Sequence, residues 1–193
     1  MRYSRWWILA ALCCVLIGAC TRAAGPAASS SAKVSAHALF RCRWWSEEQM
    51  NGLDPNNPPP QNTDIVIEKW DYSDPVGTPH PDTVDLVIEV KNESDLPASG
   101  LSSRIEGQWK TGPFAKENLA KWDAPASLKT SELATVPPHQ SVSVRVPISV
   151  AAKMTELKSS RSWPYAFRGK ATILIAGSSV ATAEAELPIL KAD

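Results

Sequence analysis

The segment Val84 to Ile105, VDLVIEVKNESDLPASGLSSRI, constrains the fold of this chain more than any other. Val84, Leu86, Ile88 and Val90 share one parity, while Asp85, Glu89 and Lys91 share the other, with Val87 as the apolar exception. Strand side chains alternate with period two, so this pattern predicts one face in a core and one in water. Asn92, Glu93, Ser94 and Asp95 then form a cluster whose side chains compete for backbone hydrogen bonds, and Pro97 cannot donate to a ladder. The strand ends there, and the chain turns through Gly100 into a second one.

The same grammar recurs on both sides. In Lys33 to Trp45 the residues Val34, Ala36, Ala38, Phe40, Cys42 and Trp44 share one parity. Asp64 to Tyr72 is rich in branched and aromatic residues and predicts a second strand. Val142, Val144, Val146 and Ile148 alternate with polar neighbours, and Pro147 marks that strand as an edge or as the end of its pairing. Ser149 caps a predicted short helix, Val150 to Lys158, with Val150, Met154 and Leu157 on one face. Trp163 to Phe167, Lys170 to Ala176 and Val180 to Leu187 supply the last strands, with Gly177 and Ser178 as a hairpin turn. Thr111 to Ala126 interrupts the series as a short helix or loop across an open end. The expectation is an all-β, immunoglobulin/fibronectin-III-like β-sandwich of seven to eight strands with one or two short helices.

Ahead of the first strand, Arg2 and Arg5 precede an apolar run from Trp6 to Ile17, then Gly18, Ala19 and Cys20. This order is that of a secretory signal peptide, too short for a membrane span. Ile17-Gly18-Ala19-Cys20 resembles the lipobox of bacterial lipoproteins. The resemblance implies cleavage before Cys20, a diacylglycerol on its thiol and an acyl chain on the new amine, a combination that gives lasting membrane attachment. Thr21 in place of Asp implies, by the sorting rule of Gram-negative lipoproteins, the outer membrane. The expected organisation is therefore a signal peptide over 1–19, a lipidated N-terminus and flexible tether over 20–32, and the sandwich over 33–193.

Removing residues 1–19 leaves 18 basic against 20 acidic residues. Such a nearly neutral chain offers no field for nucleic acid. Beyond Cys20 only Cys42 remains, so the domain has no intrachain disulfide, and the strand parity predicts a buried thiol instead of an intermolecular bridge.

Three stretches, DLVIEVKNESDLPASGLSSRIEG, ATVPPHQSVSVRVPISVAAKM and YAFRGKATI, occur in an order that resembles the water-stress and hypersensitive-response domain of the atypical late-embryogenesis-abundant family. The likeness covers roughly Asp64 to Leu190. It implies a small sandwich related to fibronectin type III and a protective or binding role without catalysis. Asn92-Glu93-Ser94 stands where that family has Asn-Pro, and Thr111 to Ala126 is inserted.

The chain contains no GxSxG, HExxH, CxxC or phosphate-cradling glycine loop. His80 sits between Pro79 and Pro81 and His139 follows Pro138, both read as solvated turn residues. Glu68 with Asp71 and Glu184 with Glu186 are the carboxylate pairs, of which Glu184 and Glu186 lie on an outward strand face and read as solvated charge. No catalytic residue, metal site or cofactor is expected. Trp45, Trp109 and Trp122 are the candidate partner contacts, set against the reading of Trp109 and Trp122 as edge packing. The functional expectation is a non-catalytic, lipid-anchored module facing the periplasm and binding or scaffolding another envelope protein. The alternative is a periplasmic inhibitor or immunity protein that blocks a toxin or hydrolase with a loop such as Asn51 to Asn62.

Overall fold

Alternation decides the layers. In the computed structural model, which describes residues 32–54, 56–71 and 80–190, Val84, Leu86, Ile88 and Val90 are all fully buried. The leader, Cys20, the tether as far as residue 31, and Tyr72 with the turn up to residue 79 lie outside the described residues.

The elements in chain order are β1 (Val34–Trp44), α1 (Glu47–Asn51), β2 (Thr63–Ile67), β3 (Trp70–Asp71), β4 (Thr83–Asn92), β5 (Leu101–Pro113), a 3-10 turn (Glu117–Leu119), β6 (Lys121–Trp122), β7 (Ala126–Glu132), β8 (Ser141–Ser149), α2 (Val150–Lys158), β9 (Ser162–Ile175) and β10 (Ser178–Leu190). One sheet runs β2-β1-β4-β8 and the other β3-β10-β9-β5, with β6 and β7 both on the far side of β5. All pairings are antiparallel apart from the short β3–β10 contact. The domain is an all-β, immunoglobulin-like sandwich. Eight of its strands have five residues or more, while β3 and β6 have two each.

Between the sheets, the β4 residues meet a layer that includes Leu101, Ile105, Phe167, Ala171, Ile173 and Leu187. Gly107 and Gly169 are cross-strand partners in this layer. A Cβ on Gly107 would come within 2.6 Å of the Phe167 ring, and one on Gly169 would run into Leu86. Gly169 leaves the space in which Leu86 sits against the opposite sheet, and Gly107 leaves that of the Phe167 ring.

The corner after β4 is built on Asn92, which is 0% exposed. Its Nδ2 donates to the carbonyls of Leu96 at 2.7 Å, Val136 at 3.0 Å and Pro137 at 3.3 Å, and its Oδ1 accepts from Ser94 N at 3.0 Å and Ser94 Oγ at 2.6 Å. This one side chain ties the β4–β5 connection to the turn before β8. Pro147 lies on β8, which is an edge strand as its proline requires. Ser149 Oγ accepts from Ala152 N at 3.1 Å and caps α2 at the expected residue.

Three local expectations change. The single strand over Asp64 to Tyr72 is two: β2 pairs with β1 in one sheet, and β3 with β10 in the other. Ile67 and Trp70 are both buried, yet they differ in parity, so no straight strand could bury both on one face. Glu68 and Lys69 make the crossing between sheets. Trp163 to Phe167 and Lys170 to Ile175 form one continuous β9, and the hairpin turn falls on Ala176 and Gly177, with Ser178 already in β10. Within Thr111 to Ala126, β5 runs on to Pro113, and after it come the 3-10 turn, β6 and the start of β7. β7 lacks apolar alternation; its unpaired Leu128 sits at a bulge opposite Ile105 and Glu106.

Candidate functional site

The three candidate tryptophans occupy three separate places. Trp45 is half-buried beside Trp44, with ring centroids 4.8 Å apart, and its Nε1 donates to Pro59 O at 2.6 Å. It staples the proline-rich loop down. Trp109 lies 4.8 Å from the Phe167 ring and closes the core edge. Trp122 pairs in register with Lys110, one residue along, so it lies on the opposite face of the sheet from Trp109. There the Arg168 guanidinium stacks 4.2 Å above its ring and also reaches Glu184 at 3.3 Å and Glu186 at 2.8 Å. Trp109 and Trp122 therefore pack as edge residues and do not form a common aromatic platform.

His80 is half-buried, unlike the solvated residue expected from its turn. Its ring is 5.3 Å from Trp44 and 6.1 Å from Trp70, both edge-on. His139 is exposed, at φ 57°, with Nε2 2.9 Å from Asp95 Oδ1 across two turns. Asp71 is buried and bonded to Lys69 at 3.0 Å, whereas Glu68 is exposed. Among the described residues no group of three or more His, Cys, Asp or Glu side chains is arranged to hold a metal ion.

Each strand of the four-stranded sheet contributes one residue to an ion-pair lattice on its outer face. Asp64 of β2 accepts from Arg41 of β1 at 3.1 Å and from Arg145 of β8 at 2.6 Å, and Arg145 also reaches Asp85 of β4 at 3.3 Å. The Arg145 and Arg41 hydrogen bonds hold the Asp64 carboxyl below its usual range. Val87, the apolar exception, lies in register between Leu39 and Arg145 and is 2% exposed. The lattice thus flanks an apolar residue on an outer sheet face. Beneath it, burial pushes the Cys42 thiol up to about 12, helped by the Asp64 and Asp85 charges. A thiol so placed stays protonated at neutral pH, which fits its buried, unpaired state.

Two clefts open at the same end of the sandwich. The first, about 630 Å³, lies where β1 ends and β4 begins, between Trp44, His80, Asp82 and Asp85. The second, about 510 Å³, is walled by α2, the start of β9 and the residue after β5. Met154 and Thr155 come from the helix, Phe114 follows β5, and Trp163 opens β9, with the Phe114 and Trp163 rings 5.7 Å apart and nearly perpendicular. Lys158 and Arg161 are its charged lining residues, and among the described residues no acidic side chain lines it. The wall is held in place by main-chain bonds: Phe114 N donates to Arg161 O at 3.0 Å, and Tyr165 Oη donates to Pro113 O at 2.7 Å and accepts from Lys116 N at 3.0 Å. Arg161 takes a left-handed φ of 53°, which turns the chain from α2 into β9.

No protein-family model and no curated protein matches this chain. Solved structures with partial likeness include the CARDB domain of a Pyrococcus furiosus protein, at 10% identity and a TM-score of 0.34 over 56% of this chain and 80% of that one. Another is the sporulation control protein Spo0M of Bacillus subtilis, at 5% identity and 0.35 over 82% of this chain and 50% of that one. Red sea bream transglutaminase matches at 14% identity and 0.34 over 58% of this chain, which spans only 15% of the enzyme.

The helix period puts Met154 on the apolar face of α2 and Phe114 falls in the interruption, and nothing in their spacing indicates that they converge with Arg161 and Trp163.

Proposed function

We propose that this protein is a lipid-anchored envelope lipoprotein whose β-sandwich is a non-catalytic binding module for another envelope protein. The lipobox ending in Cys20 supports the anchor, and Thr21 supports the outer membrane with the domain in the periplasm. The observation that carries the binding role is the polarity of the sandwich. The chain runs into β1 from Lys33, whose carbonyl accepts from Glu93 N at 2.8 Å, so the tether joins the domain beside the Asn92 corner. Both clefts open at the opposite end, where β5 reaches Pro113 and pairs with Ser162. A module tethered at one end and recessed at the other suits a reach toward a partner.

Membrane fractionation of the native protein beside Cys20→Ser, followed by mild-detergent purification and mass spectrometry, tests this reading. Release of Cys20→Ser from membranes and a stoichiometric envelope partner are the expected results. Unchanged sedimentation of the mutant refutes the anchor, and the absence of any partner refutes the binding role in favour of a protective one. The inhibitor reading draws on a different observation, the exposed loop Asn51 to Asn62, which Trp45 staples at Pro59. A lytic enzyme as the captured partner, inhibited by the protein, would establish it.

A further inference from the structure

We infer that the α2–β9 cleft is the partner site, and that its occupant is an acidic segment of another protein carrying an aromatic or branched aliphatic anchor residue. This deepens the binding role proposed above and rests on it. Phe114 is 51% exposed although it packs edge-on against Trp163. With half-buried Met154 these two rings form the apolar lining of the cleft. Aromatic residues, Met and Arg are the types enriched at protein interfaces, and a pliable Met floor adapts to different anchors.

The rim sets the sign of the partner. Lys153, on the inner side of α2, is neutralised by Glu156 at 2.9 Å and Asp123 at 3.8 Å, and Lys110 by Glu117 at 3.2 Å. Lys116, Lys158 and Arg161 are exposed and have no acidic partner among the described residues. Lys158 and Arg161, which line the trough, therefore give it uncompensated positive charge on a chain that is otherwise nearly balanced. Carboxylates flanking an apolar anchor complement that arrangement.

Shape favours a protein segment over a lipid surface: the cleft is a recess of about 510 Å³ walled by α2, the start of β9 and the residue after β5, which admits a protruding side chain rather than a flat face.

The test uses the full-length protein in neutral detergent micelles and two fluorescein-labelled peptides. One carries a Phe-Leu anchor flanked by aspartates, the other the same anchor flanked by lysines. Fluorescence polarisation should show binding of the acidic peptide that weakens with salt, falls roughly tenfold with the exposed-site variant Phe114→Ser, and passes to the basic peptide in the Lys158→Glu, Arg161→Glu double variant. Thermal melting of each variant confirms the fold. Equal binding of both peptides, or indifference to the double variant, overturns the site. Displacement of the acidic peptide by phosphatidylglycerol added to the micelles, with the same dependence on Lys158 and Arg161, overturns the protein-segment assignment in favour of an anionic lipid surface. Failure here leaves membrane anchoring and partner capture standing, whereas loss of partner capture with peptide binding intact removes the proposed function and leaves the cleft.

Discussion

Asn92 offers the most direct perturbation of the fold. Its side chain makes five hydrogen bonds in a site with no solvent exposure. In Asn92→Ala the three carbonyls keep other donors: Val136 O still accepts from Ala98 N at 2.9 Å, Pro137 O from Gln140 N at 3.2 Å and Leu96 O from Ser94 Oγ at 3.0 Å. Few acceptors are orphaned, so the cost is the net worth of about three good bonds plus a small void. At roughly 1 kcal/mol per bond this comes to about 3 kcal/mol, or a fall in melting temperature of roughly 6–12 °C for a domain of this size. Asn92→Asp is the sharper case, because it replaces a double donor with a carboxylate aimed at three carbonyl oxygens. Its folded pKa must rise above the unfolded value of about 3.9. A raised acid binds more protons folded than unfolded, so the mutant is nearest to wild type below pH 4 and loses further stability as pH rises through the folded pKa. Urea melts of both mutants at pH 4 and pH 7 check this. An alanine mutant within about 0.5 kcal/mol of wild type, or an aspartate mutant no worse at pH 7 than at pH 4 relative to wild type, refutes the reasoning.

Other outcomes follow from single contacts. Gly169→Ala drives a Cβ into Leu86 across the sandwich and should cost about 1–3 kcal/mol by denaturant melting, with Leu86→Ala in the same chain relieving the strain though not the lost burial. Cys42 should resist iodoacetamide in the native protein at pH 8 and react fully in urea, because burial keeps its thiol protonated and out of reach. The Asp64 carboxyl is depressed by Arg145 and Arg41; its contribution is present above the unfolded carboxylate pKa and is lost as pH falls through the lower folded value. Asp64→Asn should therefore flatten the acid limb of a stability–pH curve, and high salt should shrink the difference since the pair is partly exposed.

Strands whose two faces differ in chemistry were legible. β4 and β8 alternate almost without fault, and the helix cap at Ser149 sits between a finished strand and a run with an apolar face, so local pattern and tertiary placement agree. β7 was not legible because it is an outer strand that contributes almost nothing to the core: its residues are nearly all exposed, and its pairing is carried by the backbone of β5. The break between β2 and β3 was masked by composition, since Ile65, Val66, Ile67 and Trp70 all favour strands. Only the parity conflict between Ile67 and Trp70 hints that the chain must change sheets. Val87 appeared as a blemish in the alternation, and the reason lies in residues far away in sequence, with Leu39 and Arg145 lying on either side of it.

The cleft shows why a site can stay hidden when every residue in it is ordinary. Met154 obeys the helix period, Trp163 begins a strand, Lys158 ends a helix where a cation suits the dipole, and Phe114 follows a proline at a strand end. Each has a sufficient local reason to be where it is, so none calls for a functional one. What is unusual is a relation: α2 returns the chain to the end of the sandwich where β5 stops, and the left-handed turn at Arg161 brings the helix, the loop and the strand together. That relation depends on the sheet order, because β9 pairs beside β5 although 48 residues separate Pro113 from Ser162 at the site where they meet. Periodicity reads one element at a time. The convergence of uncompensated cations on an apolar floor is a property of three elements at once, and it became visible only when the topology was known.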